Sequence, residues 1–135
     1  MIDHTGIQCS DYARSRAFYE RALAPLGLTI QMEVTKERSG GYEGCGFGES
    51  GKPEFWIGAA AAGGAQVPSR PMHIAFRAAD RKTVDGFHAA ALAAGGTDNG
   101  GPGIRAHYHA NYYGAFVLDP DGHNIEAVCH SPQAA

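Results

Sequence analysis

The sequence has 135 residues, 44% hydrophobic and 19% charged, and this length is enough for one domain but not for two full ones. It carries 11 Lys and Arg against 14 Asp and Glu, a formal net charge of -3, which excludes the broad basic surface that nucleic-acid binding requires. The N-terminus becomes charged within a few residues and no run of about 18 apolar residues occurs, so we expect a cytoplasmic protein without a signal peptide or a membrane span.

In the first half, residues 2–10 are predicted to form a strand, followed by a helix that begins after the capping residue Asp11. Apolar residues recur at intervals of three and four along this helix, which Gly27 is expected to end in the left-handed conformation. Three turn-bounded strands are then predicted, over residues 28–37, 41–49 and 53–60.

The second half repeats this order. Residues 71–79 are predicted to form a strand, and a helix follows Asp80 and ends at Gly95-Gly96. Residues 97–110 have no clear pattern, whereas residues 111–119 and 123–130 predict two strands around the turn sequence Asp-Pro-Asp-Gly.

The two halves align without gaps when His4 is placed on His73, an offset of 69 residues. The other identities at this offset are Asp11 with Asp80, Phe18 with Phe87, Ala22 with Ala91, Leu23 with Leu92, Ala24 with Ala93 and Gly27 with Gly96. The pattern predicts a single α+β domain over residues 1–135, built from repeated βαβββ modules at about 1–64 and 70–130. The sheets of the two modules are expected to curl around a shared cleft.

Three side chains in this arrangement are candidates for a metal site. The repeat places His4 and His73 at equivalent strand positions, and alternation in the last strand turns Glu126 away from the apolar face. Two imidazoles and one carboxylate suit a divalent ion such as Fe(II), Mn(II), Ni(II) or Zn(II) and leave positions open for substrate oxygens. The alternative is that each histidine is bonded locally at a strand end and that Glu126 is a solvated surface charge.

The paired segments IDHTGIQCSDYARSRAFYERALAPLGL and HIAFRAADRKTVDGFHAAALAAGG, closed by AFVLDPDGHNIEAV, resemble the vicinal oxygen chelate superfamily. This superfamily includes glyoxalase I, bleomycin-resistance proteins, fosfomycin-resistance transferases and extradiol dioxygenases. The resemblance covers positions 2–130 and implies paired βαβββ units, a divalent metal (Zn, Ni, Fe, Mn or Co) in the cleft, and a homodimer. It places the family's metal ligands on His4, His73 and Glu126.

The sequence departs from glyoxalase I at the fourth ligand, a second Glu that would mirror Glu126 in the first module. Matching the turn glycines Gly51 and Gly122 puts Phe55 at that place, with Glu54 adjacent. A shift of one residue turns a strand side chain to the other face, so Glu54 reaches the site only through a bulge. We favour three protein ligands, which is closer to the transferase and dioxygenase pattern than to the lyase pattern.

A glycine-rich segment leads into a cluster of polar and aromatic residues that we expect to form the substrate wall. Arg105 would pair with an anionic group, and His107, Tyr112 or Tyr113 would donate or accept a proton. Strand alternation allows only one of the two adjacent tyrosines to reach the cleft directly. The alternative is a mobile loop followed by an aromatic edge strand.

These features predict a metal-dependent lyase, transferase or dioxygenase that acts on a small oxygenated molecule chelating the metal. The alternative is a metal-free protein that sequesters a small molecule, as bleomycin-resistance relatives do. The three cysteines, Cys9, Cys45 and Cys129, include no Cys-x-x-Cys pair and predict neither a disulfide framework nor a zinc–thiolate site.

Overall fold

The computed structural model describes residues 1–59 and 68–133 and contains two curled sheets that share one hydrophobic core. The first half comprises β1 (Thr5–Gln8), α1 (Tyr12–Ala22), a 3₁₀ turn (Ala24–Leu26), β2 (Thr29–Val34), α2 (Lys36–Ser39), β3 (Glu43–Glu49) and β4 (Lys52–Ala59). The second half comprises β5 (His73–Arg77), α3 (Arg81–Ala93), β6 (Thr97–Asp98), β7 (Gly103–Ile104), β8 (Tyr113–Leu118) and β9 (Asn124–Cys129). The predicted α+β class is confirmed, whereas the predicted module end at residue 64 lies outside the described residues.

Both sheets have the same connectivity. The strand order is β1-β4-β3-β2 in the first sheet and β5-β9-β8-β6 in the second, where β7 also pairs with β8. The first strand of each half pairs in parallel with the last strand, and the remaining pairs are antiparallel. His73 therefore begins a strand that lies beside the last strand of its own half, and His4 directly precedes the equivalent strand.

The helices begin where the sequence predicts and end earlier. Asp11 accepts a hydrogen bond from the backbone N–H of Arg14, and Asp80 accepts one from Thr83, so both carboxylates cap helix N-termini. Helix α1 ends at Ala22 because a 3₁₀ turn containing Pro25 follows it, and the left-handed Gly27 closes that turn instead. The strand predicted over residues 28–37 also ends early, at Val34, where the short helix α2 begins.

The core joins the two halves through their helices. Phe18 and Tyr19 of α1, together with Phe87 of α3, are buried against the apolar faces of the sheets. The Tyr19 hydroxyl donates to the Asp119 carboxylate at 2.6 Å, and burial raises the pKa of Tyr19 well above its usual value. A side chain of the first half thus anchors the turn before β9. In the described part of the chain, no helix is both long and apolar enough to span a bilayer.

Candidate metal centre

Two predicted ligands meet on the second sheet. β5 pairs with β9 so that Ala75 lies opposite Glu126, two residues beyond His73. Ile125 and Ala127 point into the core on either side of Glu126, which therefore projects from the opposite face. We call this the cleft face, meaning the sheet face opposite the helices. Glu126 is only 1% exposed although it points away from the apolar core.

A hydrogen bond from His73 shows which ring nitrogen carries the proton when the imidazole is neutral. Nδ1 lies 3.0 Å from the Asn124 carbonyl oxygen, which can only accept, so Nδ1 carries the proton in the neutral ring. Nε2 then directs its lone pair at Glu126 Oε2, 3.1 Å away. Two electron-rich atoms at this distance require a proton or a cation between them. The pair therefore forms an imidazolium–carboxylate ion pair when Nε2 carries a proton, and in the neutral tautomer its orientation suits two ligands of one metal ion.

The other oxygen of Glu126 is also bonded. The Tyr112 hydroxyl donates to Oε1, and partial burial together with this hydrogen bond raises the pKa of Tyr112 to about 12. The tyrosine ring lies among three other rings, with centroid distances of 4.8 Å to Tyr108, 5.5 Å to His109 and 5.3 Å to His130. Both oxygens of the Glu126 carboxylate therefore have a partner within the second half, His73 for Oε2 and Tyr112 for Oε1.

His4 lies apart from this pair, just before β1. Its Nδ1 is 2.7 Å from Asp3 Oδ1, and Lys52 contacts the same carboxylate oxygen at 3.1 Å. Hydrogen bonds from His4 and Lys52 lower the pKa of Asp3. As in His73, an acceptor on Nδ1 leaves the Nε2 lone pair free for a metal. Across residues 1–59 and 68–133, however, no three His, Cys, Asp or Glu side chains cluster closely enough to hold one ion.

The position that mirrors Glu126 belongs to Trp56, and not to Phe55 as the turn alignment predicts. Gly6 pairs with Trp56 as Ala75 pairs with Glu126, and Gly6 is the repeat equivalent of Ala75. The difference arises from a bulge, since Phe47 pairs with Phe55 but Gly48 pairs with Pro53. The extra residue is Glu54, which is exposed, while Phe55 is buried in the core. The β8–β9 hairpin has no such bulge, so counting from the turns misses by one residue.

Arg105 holds the glycine-rich loop. Its Nη1 donates to the Gly103 carbonyl at 2.9 Å and its Nη2 to the Gly101 carbonyl at 2.8 Å. The guanidinium also lies 5.3 Å from the ring centroid of Phe116. Arg105 therefore lies beside the cleft face, as the predicted substrate wall requires. Two of its N–H groups, however, bind loop carbonyls and not an anionic substrate.

The remaining predicted wall residues take different places. Tyr113 lies on the helix side of β8, where its hydroxyl donates to Asp85 at 2.7 Å and its ring contacts Arg81. It lines a cleft at the start of α3 and does not line the Glu126 site. His107 is exposed, and its ring contacts that of Tyr108 in a tilted arrangement with centroids 4.2 Å apart, outside the rings that surround Tyr112.

Phe116 and His130 are site neighbours for which the sequence reasoning assigned no role. Phe116 pairs with Glu126 across β8 and β9, and its ring centroid is 6.2 Å from that of His73. His109 Nε2 lies 2.8 Å from His130 Nδ1, which joins the loop to the end of β9. Alternation along β8 puts Phe116 on the same face as Tyr112, but only the pairing of β8 with β9 shows that this face is the one that carries Glu126.

The fold is similar to solved structures of known families. A glyoxalase/bleomycin resistance protein from Albidiferax ferrireducens shares 26% identity and a TM-score of 0.72, covering 97% of this chain and 99% of that one. Glyoxalase I from Zea mays shares 20% identity and a TM-score of 0.70, covering 95% of this chain but only 45% of that one. The chain thus spans about half the length of the maize enzyme. A glyoxalase/bleomycin resistance protein/dioxygenase family enzyme from Burkholderia phytofirmans shares 21% identity and a TM-score of 0.63, covering 96% and 98%.

No curated protein matches the chain. The model of the Glyoxalase/Bleomycin resistance protein/Dioxygenase superfamily matches residues 1–127, which include both histidines, the bulged hairpin and Glu126. This match covers most of the chain, and the structural similarity agrees with it over nearly the whole length. The chain belongs to the Glyoxalase/Bleomycin resistance protein/Dioxygenase superfamily.

Proposed function

We propose that the protein is a divalent-metal-dependent enzyme that acts on a small oxygenated molecule able to chelate the metal through neighbouring oxygens. The observation that carries this proposal is the His73–Glu126 pair, in which Nε2 and Oε2 face each other at 3.1 Å. The Asn124 carbonyl bonded to Nδ1 gives His73 the tautomer that a metal ligand needs.

We infer that the third ligand is His4 of a second copy in a homodimer. Within the described residues of one chain, His4 does not join His73 and Glu126 in a three-residue cluster. Its imidazole nevertheless has the features of a ligand, because Asp3 binds Nδ1 and the ring is exposed at a strand end. A two-fold dimer that placed the first sheet of one copy against the second sheet of the other would complete two identical sites.

A divalent ion at this site would polarise the substrate oxygens as a Lewis acid. The residues of the chain would bind and orient the substrate around it. Phe116 supplies an apolar wall beside His73, Arg105 holds the loop over that wall, and Tyr112 holds Glu126. Trp56 has no ligating atom, so the position that mirrors Glu126 leaves a site with three protein ligands. This favours transferase or dioxygenase chemistry over the four-ligand lyase pattern.

The first test is metal content after purification without a chelator. Wild-type protein supplied with Fe, Mn, Ni, Co or Zn should hold about one ion per chain, and His73→Ala and Glu126→Gln should lose it. His88→Ala is the matched control, because His88 bonds to Asp98 on the far side of the second half and should leave the metal in place.

Co-expression of two variants that each lack one metal ligand tests the shared site. His4→Ala and Glu126→Gln chains should each bind no metal alone, yet a mixed dimer combines an intact His73–Glu126 pair with an intact His4. Each mixed dimer should therefore hold about one ion. Mixed dimers without metal, despite wild-type metal binding, would rule out a site shared between copies.

The second candidate is a metal-free protein that sequesters a small molecule. Trp56 on the cleft face, together with the absence of a three-ligand cluster among the described residues, favours it. Wild-type dimers that take up none of the five metals would support this function and contradict the enzyme proposal.

A further inference from the structure

We propose that Tyr112 is a positioning residue that keeps Glu126 bound to the metal through a single carboxylate oxygen. The proposal rests on the proposed function and concerns how that site presents itself to substrate. A carboxylate can bind a metal ion through one oxygen or through both. The choice changes how many positions remain for molecules that react at the metal.

The two oxygens of Glu126 have different partners. Oε2 faces Nε2 of His73 at 3.1 Å, and Oε1 accepts a hydrogen bond from the Tyr112 hydroxyl. A hydrogen bond to one oxygen of a ligating carboxylate orients the group and directs the other oxygen at the metal. Oε2 is thus the ligand atom, and Oε1 is held by the phenol.

The tyrosine is fixed from several directions. The backbone carbonyl of Tyr112 accepts a hydrogen bond from the backbone N–H of Arg105 at 2.7 Å, which connects Tyr112 to the glycine-rich loop that Arg105 binds. Tyr108, His109 and His130 surround the ring and limit its rotation. The hydroxyl is therefore directed at Glu126 by packing as well as by its hydrogen bond.

Gly114 makes this contact possible. A β-carbon at this position would lie 3.0 Å from Glu126 Oε1 and 3.3 Å from Tyr112 Cε1. Any larger residue would push the phenol and the carboxylate apart. The strand is thus built to seat the two groups together.

The consequence concerns the open coordination positions. His73, Glu126 through one oxygen, and His4 of a second copy would hold the ion and would leave its other positions open. A chelating substrate would need two of those positions, and a further one would be available to water or a second reactant. Binding by both oxygens of Glu126 would remove that further position.

The test uses chelator-stripped dimers titrated with Co²⁺, comparing wild type with Tyr112→Phe. The control is Tyr113→Phe, since the adjacent hydroxyl bonds to Asp85 on the opposite face of β8. Three quantities are measured: Co²⁺ affinity, the visible absorption spectrum of the bound ion, and binding of acetohydroxamate as a two-oxygen probe. We expect Tyr112→Phe to weaken Co²⁺ about tenfold, the lower end of such outer-partner effects, to change the spectrum and to weaken acetohydroxamate. Tyr113→Phe should match wild type in all three.

The outcomes separate this inference from the proposal on which it rests. If wild type binds no Co²⁺, the proposed function fails and this inference fails with it. If wild type binds Co²⁺ and Tyr112→Phe cannot be distinguished from Tyr113→Phe in affinity, spectrum and acetohydroxamate binding, only the role of Tyr112 is overturned. Gly114→Ala gives a second measurement, because it should shift the Co²⁺ spectrum in the same direction while keeping the phenol.

Discussion

The cleft faces of the two sheets differ at equivalent positions. In the second sheet the residue paired two positions beyond the repeat histidine is Glu126, and in the first it is Trp56. A glycine lies next to each of these residues. Gly114 leaves room for the Tyr112 ring and the Glu126 carboxylate, whereas Gly46 leaves room for the indole of Trp56. The two sheets thus have the same strand pairing but carry a carboxylate in one case and an indole in the other at the equivalent outward position.

This contrast shows that sheet geometry and site chemistry are specified separately. The parallel pairing of the first strand with the last strand is the same in both halves, although the first sheet has a bulge at Glu54 and the second sheet has the additional strand β7. The outward residues at equivalent positions of this pairing are different. The sheet therefore fixes where a functional side chain stands, and the local neighbours decide what it does.

The largest expected effect on stability comes from adding a β-carbon at Gly46, in comparison with Gly114. A β-carbon on Gly46 would lie 2.6 Å from Pro53 Cβ and 2.7 Å from Trp56 Cε2, so Gly46→Ala should lower the free energy of unfolding by about 3 kcal/mol. Gly114→Ala meets milder contacts and should cost about 1 kcal/mol. Urea titration measures both, with Gly101→Ala as a control that meets open space. Equal costs for Gly46→Ala and Gly114→Ala would contradict the difference between the faces.

The next largest effect is expected from the contact between the two halves, which should make them unfold as one cooperative unit. Tyr19→Phe removes the donor to the buried Asp119 and should cost about 2 kcal/mol, because the carboxylate loses a hydrogen bond it cannot replace with water. Trp56 is the only tryptophan, so its fluorescence reports on the first sheet while circular dichroism reports on the whole chain. Both signals should move together in urea. Two separate transitions would show that the halves unfold independently.

The smallest expected effect comes from giving the cleft face of the first sheet a carboxylate like that of the second sheet. Trp56→Glu would put a carboxylate beside His4 as Glu126 stands beside His73, so Co²⁺ affinity should rise about tenfold, or about 1.4 kcal/mol. Trp56→Gln is the control for loss of the indole. Glutamate and glutamine variants of equal affinity would mean that this position does not face the ion.

Local features of the fold were predictable from the sequence. Asp11 and Asp80 cap their helices because capping depends on the neighbouring four residues only, and the hairpin turn before β9 follows from its Pro and Gly. Alternation likewise separated Tyr112 from Tyr113, but it could not say which of them faces Glu126. That choice depends on the pairing of β8 with β9 and on the helix side of the sheet.

Features that depend on non-local pairing were not predictable. The bulge at Glu54 has no sequence signature that separates it from a regular strand, so Phe55 was expected where Trp56 stands. The separation of His4 from His73 and Glu126 depends on how the two sheets pack, which the repeat alone does not specify. Arg105 looked free to bind an anion because the carbonyls that it binds belong to an unpatterned loop.

The bulge at Glu54 also bears on how such a repeat can diverge. A hairpin that absorbs one extra residue near its turn keeps Phe55 and Ile57 pointing inward while a different residue reaches the outer face. A change in hairpin length near the turn can thus replace an outward residue without destabilising the core, because the same side chains stay buried. One residue more or fewer at this turn would therefore change which side chain stands opposite Gly6, while the core positions of β4 stay the same.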